Sequence, residues 1–259
     1  MAFIAVGDNK GLYERLTMLL YSAPRLGKTT ALLQIPATGE ILYVLSTDAG
    51  LRAALSGTAE EVTRINKNMR VTYATGLLDI RRDLSYLSQQ IPVLISKGVK
   101  PWKIWVALDT VTHLQQHFLS ETRTIQVGTK GATGNPQVGE TYVRDATVQV
   151  DYGILNAWMN EIVNGIMRLP CNVVFIALEK SDDKKKTMYP ALVGQSADKV
   201  AGDVDVIAYL IDNGKGGREL KLKTDPRWLC GFRGKPGLLA DTEGPDLLAL
   251  RDKYLRIGG

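Results

Sequence analysis

The stretch from Leu16 to Gln34, LTMLLYSAPRLGKTTALLQ, constrains this chain more than any other. LTMLLY has the length and apolarity of a buried strand, and TTALLQ reads as the start of a helix. Between them lies SAPRLGKTT. A loop of this kind gathers backbone N–H groups at a helix N-terminus and adds a lysine, which together bind phosphate. Gly27 lets the backbone approach the ligand, Lys28 reaches the outer phosphates, and the Thr29 hydroxyl offers oxygen to Mg²⁺. The pattern G-x-x-x-x-G-K-[ST] opens on glycine, whereas this loop opens on Ser22. That position mainly serves the turn out of the strand, so serine fits if its φ is negative. Ser22, Ala23, Pro24, Arg25, Leu26, Gly27, Lys28, Thr29 and Thr30 are therefore expected to surround a nucleotide. Arg25 is unusual inside such a loop and touches either a phosphate or a neighbouring subunit.

The rest of the chain supplies a sheet for that loop. ILYVL at 41–45, VTYA at 71–74, IWVAL at 104–108 and VVFIAL at 173–178 are short apolar runs. Asp79 to Lys97 and Tyr152 to Leu169 carry apolar residues at helical spacing. Strands alternating with helices predict an α/β fold with a mostly parallel central sheet flanked by helices. Val204–Ile211, Glu219–Lys223 and Trp228–Phe232 are expected to close the sheet as antiparallel strands, and Asp246–Tyr254 to form a last helix. No repeat or linker divides the chain, so residues 1–259 are read as one domain with a short N-terminal segment, 1–15. Two irregular stretches stand out: 121–151, rich in Gly, Thr, Gln and Val, and 180–199, which follows Glu179 with KSDDKKK. A long loop inside a domain is usually functional or disordered.

Composition excludes several classes. Two cysteines without C-x-x-C and two histidines make neither a zinc framework nor a disulfide scaffold. No apolar run approaches ~20 residues, so no membrane span is expected, and the N-terminus lacks signal-peptide character. The expectation is a cytoplasmic protein. A net charge of +5 permits a polyanionic partner without requiring one. His113 and His117 share a helical face but lack the H-E-x-x-H pattern, and are read as a helix surface or a polar face near the nucleotide. Trp102, Trp105 and Trp228 are read as core or interface.

Three carboxylates follow strand ends. Asp109 after IWVAL either holds the Mg²⁺ shell or caps a helix. Asp48 after ILYVL either orients the attacking water or forms a turn. Glu179 after VVFIAL either senses the γ-phosphate or pairs with Lys180.

In order and spacing these elements resemble the RecA-like P-loop NTPase core, and more closely the short phage nucleotide-binding and single-strand annealing ATPases. The resemblance spans roughly Leu16 to Leu250, resting on SAPRLGKTT, LYVLSTDAGL, IWVALDTVTHL, VDYGILNAWM, NVVFIALEK, YPALVGQSADKV and GFRGKPGLLADTEGPDLLAL. It implies ATP and Mg²⁺ at Lys28, Thr29 and Asp109, and places Asp48 where the family carries a catalytic glutamate one methylene longer. Glu179 stands where glutamine or histidine is common. Lys221 and Lys223, on one face of ELKLK, resemble a K-x-K pair projected into a neighbour's ATP site; solvated lysines are the alternative. The two irregular loops would line a DNA path through Arg123, Lys130, Arg144, Lys180, Lys184, Lys185 and Lys186. Limited aromatic content makes such binding phosphate-driven and salt-sensitive.

The expected protein is thus an ATP-dependent single-stranded-DNA-binding ATPase of phage-type recombination or annealing. It would act as a homo-oligomer, filament or ring, alongside a single-strand-binding protein. A hexameric RecA-fold helicase or loader motor is one alternative; a nucleotide-binding switch with little hydrolysis is another.

Overall fold

The computed structural model describes residues 15–48, 50–51, 58–125, 149–182, 186–193 and 196–256. Its centre is a sheet in the order β10-β8-β7-β1-β5-β4-β2-β3. These strands are β1 (Thr17–Ser22), β2 (Ile41–Ser46), β3 (Met69–Tyr73), β4 (Ile104–Asp109), β5 (Asn172–Asp182), β7 (Val206–Asp212), β8 (Arg218–Lys221) and β10 (Thr242–Glu243). From β3 across to β7 every pairing is parallel. β8 and β10 then run antiparallel. β6 (Thr187–Pro190) pairs antiparallel with β5, and β9 (Gly231–Phe232) with β7.

Helices cover both faces. One face holds α1 (Lys28–Ala37), α2 (Ala59–Asn68) and α7 (Leu247–Leu255). There Met18, Leu20, Trp105, Ala107, Val174 and Ile176 pack with Leu32, Ile35, Ile65 and Leu250. The other face holds α3 (Leu77–Ser96), α4 (Val111–Ile125) and α5 (Gln149–Met167). There Leu19, Tyr21, Val106, Leu108, Val173 and Phe175 meet Ile80, Leu87, Phe118 and Ile162. Successive strand residues point to opposite faces. A strand covered on both sides must therefore be apolar at nearly every position, and this is why IWVAL and VVFIAL are unbroken runs and LTMLLY is broken only by Thr17, whose hydroxyl donates to Asp205. A short α6 (Ser196–Asp203) precedes β7.

Four expectations need correction. Val206–Asp212 is not antiparallel; it extends the parallel sheet beside β1. Of 228–232 only Gly231–Phe232 forms a strand, because one end of β7 offers it a short edge. The stretch 121–151 is not irregular at its ends: Glu121–Ile125 completes α4, and α5 starts at Gln149. The stretch 180–199 is not a simple loop either. β5 runs on to Asp182, pairs with β6, and α6 follows. Solvent replaces core beyond Leu178, so Glu179–Asp182 are all polar instead of continuing the apolar run.

Candidate nucleotide site

β1 ends at Ser22, which is fully buried and lies outside the left-handed region, as the loop's tolerance of serine requires. The chain then wraps through Arg25 at φ 64° and Gly27 at φ 94°, the N-cap of α1. Gly27 needs its positive φ to turn the chain into the helix. No side chain caps α1 and its first turn holds no acid, so its leading N–H groups face the loop unneutralised. Lys28 folds back over the loop. Its Nζ donates to Ser22 O at 3.0 Å, Ser22 Oγ at 2.9 Å and Ala23 O at 2.9 Å. Burial pushes the ammonium down to about 8 despite the pull of Asp109 and Glu179. Phosphate oxygens would restore what desolvation removes.

Asp109 ends β4 two strands from β1, with β5 between them. Its side chain reaches across: Thr29 Oγ1 donates to Asp109 Oδ2 at 2.9 Å. Asp109 is not the helix cap, because Thr110 Oγ1 takes the His113 N–H instead. Burial raises its carboxyl to about 6, with Asp48 adding to the rise and the Thr29 hydrogen bond opposing it. A carboxylate and a hydroxyl on adjoining atoms are the hard oxygen pair that Mg²⁺ takes when phosphates supply further ligands. Among the described residues no cluster of three His, Cys, Asp or Glu could hold a metal alone.

The β2 and β4 ends are locked together. Thr110 N donates to Thr47 Oγ1, and Thr47 Oγ1 donates to Thr110 O, each at 2.9 Å. Asp48 therefore projects beside Asp109. Its Oδ1 accepts from Gly50 N at 2.8 Å, closing a turn. Its Oδ2 lies 3.0 Å from His113 Nδ1, without the alignment of a hydrogen bond. Arg25, Lys28, Thr29, Asp48, Asp109 and His113 thus border one cavity of about 600 Å³. Pro24, Gly27 and Thr30 also line it, while Leu26 packs against the α1-side core.

Other expected residues stand apart. Glu179 lies one residue beyond Leu178, which lines the cavity. It does not pair with Lys180: Tyr209 OH donates to Glu179 Oε2 at 2.7 Å, and Lys180 Nζ donates to Leu192 O. Lys221 contacts Glu219 at 2.6 Å and Lys223 contacts Asp241 at 3.0 Å, away from this chain's cavity. Lys186 is exposed beside the β5–β6 turn. Lys130, Arg144, Lys184, Lys185 and the Arg123 side chain lie outside the described residues. The sequence leaves His113 between a helix surface and a polar face near the nucleotide; its place in the first turn of α4, just after the Asp109 strand, is the signal for the latter.

A family model described as an AAA domain matches residues 14–233. Among solved structures, the chain is similar to a RadB recombinase at 14% identity, each chain covering 79%, TM-score 0.45. It is similar to a prototypical ATPase from the type III secretion system of pathogenic bacteria at 16% identity, covering 76% of this chain and 52% of that one, TM-score 0.43. It is also similar to the ATP synthase subunit NeqB from Nanoarcheaum equitans at 11% identity, covering 76% and 47%, TM-score 0.47. The chain spans about half the length of these last two. No curated protein matches the sequence. The family match encloses the strand, the loop, Lys28 and the Thr29–Asp109 pair: the chain belongs to the AAA-domain family and is a P-loop ATPase.

Proposed function

We propose that this ATPase couples MgATP hydrolysis to binding of single-stranded DNA, in recombination or annealing of the phage type, as a homo-oligomer. The observation that carries the reading is the course of β5. It borders the cavity at Leu178 and continues without a break to Asp182, where it pairs with β6; in the sequence the lysine run 184–186 falls between these two strands. A change at the phosphates is thereby one strand away from the basic segment that follows Asp182 in the sequence. Thr112 Oγ1 on α4 accepts from Leu178 N at 3.0 Å, and Gln115 clamps Val193 through both its N–H and C=O. α4 starts just after Asp109, so both ends of the arm are fastened to the metal-side strand. Phosphates of a polyanion would meet Lys180, Lys184, Lys185 and Lys186, with Arg123, Lys130 and Arg144 from the other stretch.

In this reading Lys28 and the α1 N–H groups hold the triphosphate, and Thr29 and Asp109 hold the metal shell. Bound Mg²⁺ supplies neutralisation of charge on the phosphate oxygens. Asp48 accepts a hydrogen bond from the attacking water and orients it in line. Glu179, joined to Tyr209, reports the γ-phosphate to the arm. Lys221 and Lys223 act on a neighbour's site, which makes assembly a condition of turnover. The decisive experiment is ATP turnover with and without single-stranded DNA, for the native chain and Lys28→Ala. DNA stimulation of the native chain alone supports the coupling; turnover indifferent to DNA removes it. A switch with little hydrolysis is the second reading, favoured by Asp48 being occupied with Gly50 N and His113. Nucleotide binding without turnover at any DNA concentration would select it.

A further inference from the structure

We propose that Arg218 binds phosphate of the nucleotide held by its own chain, as a cis-acting cation beside Gly27. The inference rests on the loop around Lys28 being the nucleotide site. Strand alternation puts Arg218 there. Leu220 and Leu222 are buried in the core layer they share with Ala31 and Leu32 of α1. Arg218, two residues before Leu220, emerges on that same face. Glu219, Lys221 and Lys223 emerge on the other.

Topology fixes the height. β7 runs parallel to β1, and β8 returns antiparallel with Arg218 opposite Asp212 at the end of β7. The first residue of β8 therefore stands at the sheet edge where β1 delivers the phosphate loop. The guanidinium lies directly over Gly27: a Cβ built on Gly27 would stand 2.7 Å from Arg218 Cζ and 3.3 Å from Nε. The φ of 94° is what requires glycine at Gly27; the guanidinium above it is the movable end of an exposed side chain.

The charge has no counterpart. The Arg218 side chain makes no hydrogen bond or ion pair among the described residues, and its opposite number Asp212 turns Oδ1 to Gly214 N. The first turn of α1 carries no acid. An exposed guanidinium, the Lys28 ammonium and open helix N–H groups thus converge; Asp109 and Glu179 act on Lys28, but among the described residues no carboxylate pairs with Arg218. Their shared complement is phosphate, and the planar guanidinium fork suits two oxygens of one phosphate group.

The test is binding of MgATP and MgADP to native protein, Arg218→Ala, Arg218→Lys and Lys28→Ala, followed by calorimetry. Melting of each nucleotide-free variant checks the fold. Arg218→Ala is expected to weaken MgATP binding about 10- to 100-fold with an unchanged melting temperature, and Arg218→Lys to recover part of it. Native-like binding by Arg218→Ala, with binding lost in Lys28→Ala, would overturn the role of Arg218 and leave the site intact. Unaltered binding in both variants would overturn the site itself. Mixing Arg218→Ala with Lys28→Ala tests the cis assignment, because a trans arginine would restore turnover in mixed assemblies. Restored turnover would overturn it, and absence of restoration is expected.

Discussion

The two edges of the parallel sheet treat buried charge in opposite ways. At the edge where strands begin, the buried charges Glu40 and Arg251 find partners. Glu40 Oε2 accepts from Trp105 Nε1 at 2.7 Å and from Arg251 Nη1 at 2.5 Å. Arg251 also donates to Trp102 O and lies 5.4 Å from the centre of the Trp105 ring. Asn172 uses both ends of its amide, accepting from Leu16 N and donating to Trp102 O and Ile104 O. At the edge where strands end, burial disfavours the charged forms of both Lys28 and Asp109. His113 Nδ1 is buried there without a hydrogen-bond partner. The first edge completes its polar network within the protein, which stabilises the fold. The second leaves its network open, which is the condition for a ligand to be the missing partner.

The largest effect should come from opening the closed edge. Arg251→Met leaves Glu40 buried with only an indole donor and is expected to cost about 3–5 kcal/mol in urea unfolding. Turnover per folded molecule should stay near native, because Arg251 is at the far edge from the cavity. Adding Glu40→Gln should return part of the loss by removing the stranded charge. If Arg251→Met unfolds at the native midpoint, the contrast between the edges is wrong.

Lys28→Ala opens the other edge further. Here the expected loss is in turnover, on the order of 10²–10³-fold, as for removal of a charge-stabilising donor. ATP should no longer raise the melting temperature, while the nucleotide-free chain should melt close to native. A large drop in nucleotide-free stability would instead make Lys28 a structural residue like Arg251.

Asp109→Asn should make the protein more stable and less active. Burial holds the Asp109 carboxyl near 6 against an ordinary 3.8, so the folded state keeps its proton more firmly than the unfolded state. Stability contributed by this group therefore falls as pH rises from about 4 to about 6, and the full cost is present above that. Two units correspond to roughly 3 kcal/mol at most, and partial relaxation makes a gain of about 1–3 kcal/mol reasonable for Asn at pH ~7.5. The gain should vanish near pH ~4. ATP turnover should be lost with it, a trade between stability and function. Equal stability of the two proteins at both pH values would remove the electrostatic cost assigned to Asp109.

These edges were not equally legible in the sequence. Lys28, Thr29, Asp109 and the strands that carry them follow from apolar runs and loop chemistry, both of which are local. Lys180 and Ser181 are exposed, and Lys180, Ser181 and Asp182 are all polar, so they gave no strand signal. Glu40 and Arg251 are 211 positions apart and meet only through the packing of α7. Arg218 carried no motif; its signal was the two-residue step to Leu220 and Leu222, which marks the face turned toward α1. The Lys221–Lys223 step was visible for the same reason and marks the opposite face.

The smallest effect concerns the serine that opens the loop. Ser22 is the last residue of β1 and its Oγ accepts from Lys28 Nζ while donating to Ala23 O, each at 2.9 Å. Ser22→Gly restores the usual opening residue. It adds backbone freedom to a strand position, which costs about 0.5–1 kcal/mol, and removes one of three acceptors from Lys28. The carbonyls of Ser22 and Ala23 still hold the ammonium, so the fold of the loop should survive. With one competitor fewer, Lys28 should pass to phosphate more readily, and MgATP binding should tighten by about threefold or less, read by titration beside a melting curve. A gain beyond about tenfold would mean that Ser22 restrains Lys28 in the nucleotide-free state. The open edge would then be latched rather than merely incomplete, and the serine would be a regulator of nucleotide entry.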